Sequence, residues 1–118
     1  MLKGEKVILR AVERDDLKRL HELDRNVELV QWARGEWQPL PLAAHEKYFD
    51  KYLEGDDRNH FVIEVDGVVI GSTGLHNVQR RDGTAMMWIN ILDPDYIGQG
   101  YGRDALNVLL DWAFRIQN

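Results

Sequence analysis

The chain has 118 residues, of which 44% are hydrophobic and 30% charged, and its formal net charge is −5. This length and composition predict one globular domain over residues 1–118, and the acidic balance disfavours nucleic acid and anionic membranes as partners. Cysteine is absent, which excludes disulfides, thiolate metal ligands and a cysteine nucleophile.

The sequence gives no sign of a membrane span or a secretion signal. No apolar run reaches the roughly 18 residues that cross a bilayer. The first residues, Met1–Glu5, lack the apolar core of a signal peptide. The four histidines are scattered without metal-ligand spacing. We therefore expect a cytoplasmic protein without a metal site.

The first half of the chain predicts one strand and two helices. Apolar residues alternate with polar ones over 6–12, which indicates a strand. Acidic residues then favour a helix start, and leucines repeat at helical spacing over 17–23. A loop or short helix rich in tryptophan and glycine follows over 32–37. Pro41 is well placed to begin a second helix, which ends near Gly55.

The second half predicts three strands and a final helix. Strand-like runs cover 60–65, 68–75 and 84–92, and Asp66-Gly67 between the first two is a strong hairpin signal. The last helix has an apolar side made of Tyr101, Ala105, Leu109, Trp112 and Ala113. The order β-α-α-β-β-β-α predicts a mixed α/β domain.

A glycine-rich loop, Gly98-Gln99-Gly100-Tyr101-Gly102, joins the last strand to this helix. Glycine lacks Cβ, so a ligand can approach the backbone closely and unusual dihedral angles cost little. Successive amides can point into one concavity, and the helix adds its own free N–H groups and the positive end of its dipole. The pattern predicts a phosphate or pyrophosphate site. A simple tight turn is the alternative.

Two better-known phosphate loops do not fit these residues. A Walker A loop requires Gly-Lys followed by Ser or Thr, which the sequence lacks. A dinucleotide fingerprint has the spacing G-x-G-x-x-G after a first strand, whereas this loop has G-x-G-x-G after the fourth predicted strand.

The segment from Asp93 to Leu106 resembles the acetyl-coenzyme A signature of the GNAT superfamily of N-acetyltransferases. It is most similar to the branch of ribosomal-protein N-terminal and spermidine N-acetyltransferases. Upstream, 9–17 resembles the first strand and helix of that family, and 66–78 resembles its hairpin. The resemblance implies a mostly antiparallel sheet flanked by helices, without the usual last strands and helix of the fold.

The resemblance also implies a cosubstrate and its contacts. In that family the pantetheine arm of acetyl-coenzyme A lies along the fourth strand, which carries over to Ile89, Asn90 and Ile91. The pyrophosphate contacts carry over to the backbone of Ile97, Gly98, Gln99, Gly100, Tyr101, Gly102 and Arg103. The implied reaction is direct transfer of the acetyl group to a primary amine, without a metal. The amine belongs to a small amine, a polyamine or a protein N-terminus.

Two departures from the family pattern affect the chemistry. Met86 stands where many relatives carry a glutamate, and a thioether cannot accept a proton. The family also continues beyond the part that this chain matches, with elements that usually supply a tyrosine acid. We therefore assign no catalytic residue, and we expect those elements to come from a second polypeptide or from another copy in a dimer or other homo-oligomer.

The loop over 32–37 and His76 contain the candidate residues for the acceptor site. Trp32, Glu36 and Trp37 lie where relatives place a substrate-facing loop, and aromatic faces with a carboxylate suit an amine. His76 lies near the expected cleft and can relay a proton. Packing of the loop and a structural histidine are the plain alternatives. A non-catalytic acetyl-coenzyme A-binding module and a structural fragment also remain open as functions.

Overall fold

The computed structural model describes residues 1–55, 59–79 and 81–116. Within them, one antiparallel sheet has the strands β1 (Leu2–Lys3), β2 (Ile8–Ala11), β3 (His60–Val65), β4 (Val68–Gln79) and β5 (Thr84–Ile91), side by side in that order. The helices of the described residues are α1 (Leu17–Leu23), α2 (Val27–Arg34), α3 (Leu42–Glu54) and α4 (Tyr101–Ile116). The predicted mixed α/β class is confirmed, with β1 and α2 added to the predicted order.

Helix α2 forms in the region expected to be a loop or short helix because both of its ends are capped. The side chain of Asn26 accepts a hydrogen bond from the Leu29 amide at 3.1 Å, as an N-cap does. Gly35 ends the helix with a φ of 85°, a left-handed conformation typical of a C-terminal glycine. Helix α3 starts directly after Pro41 and ends before Gly55, as predicted.

The hairpin between β3 and β4 has the predicted two-residue turn. Asp66 and Gly67 have φ values of 50° and 82°, and two positive φ angles are the mark of the type I′ turn. Strand β4 extends to Gln79, past the predicted end at residue 75, because it continues to pair with β5 through His76↔Met86. Among the described strands, β5 is an edge strand of the sheet, with β4 as its neighbour.

Two clusters of buried residues lie on opposite faces of the sheet, since neighbouring residues of a strand point to opposite sides. Ile63 belongs to the cluster under α4, with Val7, Leu9, Val65, Ile70, Leu75, Ala105 and Leu109. Val62 belongs to the cluster under α1 and α2, with Leu23, Val30, Val69 and Leu92. The predicted apolar side of α4 thus packs on the sheet. No helix in the described part of the chain is long and apolar enough to cross a membrane.

A partly buried ion pair fixes the turn between β2 and α1. Arg10 donates two hydrogen bonds to the Asp16 carboxylate, at 2.8 and 2.9 Å, and one to Glu64 at 3.0 Å. Asp16 also accepts the Glu13 amide at 2.7 Å. Burial raises the pKa of Asp16, but the hydrogen bonds from Arg10 and Glu13 outweigh it and bring the pKa below its ordinary value of 3.8.

The substitution Asp16→Asn is expected to lower the free energy of unfolding at neutral pH by about 2–4 kcal/mol, because Arg10 loses its anionic partner. The pKa of Asp16 is lower in the folded state than in the unfolded state, where it is about 4. The charge of Asp16 therefore stabilises the fold fully above the unfolded-state pKa. This stabilisation is lost as the pH falls through the folded-state pKa. The difference between wild type and variant should therefore stay constant from about pH 7 to pH 5 and shrink below about pH 4. Urea unfolding at three pH values measures it.

The matched control is Asp50→Asn. Asp50 pairs with Arg14 at 2.8 Å, but the two side chains are 58% and 57% exposed. An exposed pair contributes little, so this variant should stay within about 0.5 kcal/mol of wild type. Equal losses in the two variants would contradict the assignment of stability to the partly buried pair.

Candidate functional site

The glycine loop leaves β5 through a short capped turn. The Asp93 side chain accepts a hydrogen bond from the Asp95 amide at 3.0 Å and begins a 3-10 turn over Pro94–Tyr96. Gly98 and Gly100 then have φ values of 76° and 86°, which non-glycine residues rarely adopt. Both glycines are exposed. The backbone therefore requires glycine at these two positions, and the loop remains open to a ligand.

Consecutive backbone amides of this loop are unpaired. Within the described residues, the N–H groups of Gly98 through Arg103 have no hydrogen-bond acceptor, and the first bond of α4 runs from the Asp104 amide to the Gly100 carbonyl at 3.1 Å. The Ile97 amide differs, since it donates to the Pro94 carbonyl over a long 3.4 Å. The loop thus presents free donors at the positive end of a 16-residue helix.

The segment just before β2 is tied to the glycine loop and the beginning of α4. The Asp104 carboxylate accepts the amides of Glu5, Lys6 and Val7 at 3.1, 2.8 and 2.9 Å. The Lys6 ammonium donates to the Gln99 carbonyl at 2.9 Å. Sequence reasoning missed these contacts because the partners lie 93 to 99 positions apart. No local pattern signals them.

The predicted pantetheine-contacting residues lie at the end of β5. Ile89, Asn90 and Ile91 pair with Thr73, Ser72 and Gly71 of β4. Asn90 is buried, and the two isoleucines are partly buried. The described residues place no strand along the other side of β5, so its outward backbone groups can pair with a ligand.

A cavity of about 770 Å³ lies beside β5, with walls from α1, α3 and the sheet. Aromatic rings dominate one wall: the His60 ring lies 4.6 Å from that of Tyr52 and 4.7 Å from that of Trp88. Tyr48 adds a further ring to the lining, which also includes Asn90. The cavity therefore adjoins the predicted pantetheine strand.

The cavity lining contains one carboxylate among its described residues, that of Asp24. It lies 3.1 Å from Nε2 of His45 and 3.3 Å from Nη1 of Arg34, and its side chain is 10% exposed. Neither contact has hydrogen-bond geometry, so both carboxylate oxygens and Nε2 of His45 are buried without a hydrogen-bond partner among the described residues. Asp24 is thus a buried acidic group facing two basic neighbours in an aromatic cavity.

The residues predicted for the acceptor site are spread apart in the structure. His76 lines the cavity, with its ring 5.7 Å from that of Trp88. Trp32 is 84% exposed, and both it and Glu36 lie outside the cavity wall. Trp37 packs on the core and donates its indole N–H to the Asp24 carbonyl at 2.8 Å. Trp37 therefore packs against the domain, which was the alternative to a substrate-facing loop.

Four of the aromatic rings that line the cavity were not among the candidates from the sequence: those of Tyr48, Tyr52, His60 and Trp88. Tyr48 and Tyr52 have the i, i+4 spacing that places both on one helix face, which was the available signal. His60 and Trp88 come from different strands, and nothing local connects them to that face. Only the fold brings these rings together.

Comparison with known proteins decides the family. Residues 6–118 match the family model described as the acetyltransferase (GNAT) domain. The chain belongs to the GNAT family. Its resemblance to the superfamily is thereby confirmed. The contacts assigned to individual residues remain predictions.

This GNAT domain is similar to the spermidine N(1)-acetyltransferase of Escherichia coli K12, with 30% identity over 115 residues. The match covers 95% of this chain and 59% of that protein, so the chain spans less than two thirds of its relative's length.

Two solved structures of spermidine N-acetyltransferase from Vibrio cholerae are also similar. One, in complex with CoA and spermine, has a TM-score of 0.80 and 28% identity, and the match covers 96% of this chain and 66% of that one. A dodecameric form in an intermediate state has a TM-score of 0.75 and 28% identity, over 96% and 65% of the two chains.

Proposed function

We propose that this GNAT domain binds acetyl-coenzyme A and transfers its acetyl group to a primary amine. The observation that carries the proposal is the run of unpaired amides from Gly98 to Arg103, at the positive end of α4. Donors without an internal acceptor bind a diphosphate without first breaking a protein hydrogen bond. At Gly98 no atom lies within 4 Å of the place where a Cβ would stand, so the loop is open there.

The pantetheine arm is proposed to follow β5 along Ile89, Asn90 and Ile91. Its amides then pair with outward backbone groups of that strand, as an added strand would. Because Asn90 also lines the cavity, this path brings the thioester to the cavity mouth. A backbone N–H of β5 near that point is proposed to stabilise the oxyanion that forms during transfer.

The cavity is proposed to hold the acceptor amine. The faces of Tyr48, Tyr52 and Trp88 attract an ammonium group, and the Asp24 carboxylate adds negative charge. An alkylammonium with a pKa of about 10 must lose its proton before it attacks the thioester. His45 and His76 line the same cavity and can accept that proton, which Met86 cannot.

The proposed acceptor class includes polyamines, since the similar proteins are spermidine acetyltransferases. A protein N-terminus and a small monoamine belong to the same chemical class. The proposed site is completed by elements that correspond to the remaining length of the relatives, or by a second copy of the chain along the free edge of β5. A dodecameric relative supports self-association.

Isothermal calorimetry with acetyl-coenzyme A tests the coenzyme part of this proposal. Binding should appear as heat, and ligand at about 100 times the dissociation constant should stabilise the fold by about 2.7 kcal/mol, seen as a higher melting temperature. Pantetheine, which lacks the diphosphate, should bind more weakly. Absence of both heat and stabilisation would refute the proposal and favour a structural role.

A second candidate function is that of a non-catalytic acetyl-coenzyme A-binding module, which Met86 favours because a thioether cannot act as a base. Release of free thiol from acetyl-coenzyme A separates the two functions when measured with spermidine, benzylamine and a peptide with a free N-terminus. Amine-dependent release supports catalysis. Binding without release supports the module.

A further inference from the structure

The side chain of Lys6 reaches across the chain to the glycine loop. Its ammonium donates to the Gln99 carbonyl at 2.9 Å and lies 5.8 Å from the centroid of the Tyr101 ring. A Cβ atom placed on Gly100 would come within 3.1 Å of the same nitrogen. The ammonium therefore lies directly against the Gln99–Gly100 peptide, on the side where Gly100 has no side chain.

This contact fixes the direction of one of the unpaired amides. The Gln99 carbonyl and the Gly100 N–H belong to one planar trans peptide, so they point in opposite directions. When Lys6 holds the carbonyl on its own side, the N–H must point to the other side of the loop. Gly100 can adopt positive or negative φ at little cost, so this peptide could otherwise rotate between Gln99 and Gly100. A rotated peptide would turn its carbonyl, an acceptor, toward a phosphate.

The backbone of Lys6 is itself held in place. Its amide donates to the Asp104 carboxylate at 2.8 Å, and the amides of its two neighbours, Glu5 and Val7, donate to the same group. Gly4 allows this close approach, because a Cβ at that position would overlap the carboxylate. The Asp104 charge is thus occupied by backbone donors, while the Lys6 charge remains next to the loop.

We propose that Lys6 is a positioning residue for the diphosphate of the coenzyme. It orients the Gln99–Gly100 peptide with its N–H toward the ligand, and its charge adds positive potential at the loop. The inference rests on the proposed function. It assigns a role to a residue outside the glycine-rich segment, two residues before β2.

The test compares Lys6→Met, which keeps most of the apolar stem and removes the ammonium, with Lys6→Arg and Lys3→Met. Lys3 is exposed in β1, so Lys3→Met makes the same charge change away from the Lys6–Gln99 contact. Affinities for coenzyme A and for pantetheine are measured by calorimetry. NMR spectra of the backbone amides, recorded on the ligand-free protein, give an independent measurement.

Lys6→Met should weaken coenzyme A binding about tenfold, as expected for loss of a charge-assisted hydrogen bond. Pantetheine affinity should not change, because that ligand has no diphosphate. Lys6→Arg should restore most of the affinity, and Lys3→Met should have little effect. In the free protein, the Gly100 amide resonance should shift in Lys6→Met and stay in place in Lys3→Met.

Several results would overturn the inference. Wild-type affinity in Lys6→Met would remove the role of Lys6 while leaving the proposed function intact. An equal loss for coenzyme A and pantetheine, or the same loss in Lys3→Met, would show a general effect and not one on the diphosphate. Absence of coenzyme binding by the wild-type protein would instead refute the proposed function, and this inference with it.

Discussion

Replacing Gly100 with valine is expected to weaken acetyl-coenzyme A binding about 100-fold, equivalent to about 2.7 kcal/mol. Gly100 has a φ of 86°, and a β-branched residue adopts that conformation only with strain. The loop would relax toward negative φ, which turns its amides away from the diphosphate. The new side chain would also meet the Lys6 ammonium and displace it from the Gln99 carbonyl.

The matched control for this variant is Gly83→Val. Gly83 has a φ of 66°, lies in the turn before β5 and leaves open space around an added Cβ. Each variant should lose about 1–3 kcal/mol of stability from backbone strain. Only Gly100→Val should lose coenzyme affinity in calorimetry. If the affinity of Gly100→Val equals that of wild type, the diphosphate does not bind at this loop.

Replacing Gly71 with alanine is expected to lower the free energy of unfolding by about 3–5 kcal/mol. Gly71 faces Ile91 across the β4–β5 pair, and an added Cβ would overlap the Asn90 carbonyl oxygen and come within 3.1 Å of the Ile91 Cα. These are backbone atoms of a paired strand, so they cannot move aside as a side chain does. The end of β5 would have to separate from β4, and urea unfolding measures the cost.

Gly55→Ala is the corresponding control. Gly55 has a φ of −81°, and its Cβ would lie 3.7 Å from the Tyr52 carbonyl, an ordinary contact. Its stability should stay within about 0.5 kcal/mol of wild type. Coenzyme affinity should fall only in Gly71→Ala, since that substitution displaces the proposed pantetheine strand. A mild effect of Gly71→Ala would mean that β4 and β5 can separate locally at little cost.

The parts of the fold predicted from the sequence are those with local signals. Asp66-Gly67 specified the hairpin, Pro41 specified the start of α3, and the alternation of glycines specified an open loop before α4. The sequence predicts only a loop or short helix around α2, because its eight residues make about two helical turns and the tryptophans and glycine over 32–37 also suit a loop. The extra length of β4 depends on pairing with β5, which a single segment does not reveal.

The candidate site was predictable only where one segment builds it. The loop residues from Gly98 to Arg103 are contiguous, so their free amides follow from the strand–loop–helix pattern. The cavity brings together rings from α3, β3 and β5, and contacts between elements set its shape. Trp32 has the residue type expected for an amine site, but its position on α2 directs it to solvent. Its predicted substrate role stays a prediction.

The hydrogen bonds from Glu5, Lys6 and Val7 to Asp104 have a consequence for how the domain reaches its native state. They join positions 97 to 99 residues apart, so they form only after the chain closes a very long loop, which costs more entropy than local turns do. Contacts of high sequence separation slow folding, whereas hairpins and helices can form early. We therefore expect the support behind the glycine loop to assemble late, so that a partly folded chain with most of its helices and hairpins does not yet hold the loop in its native conformation.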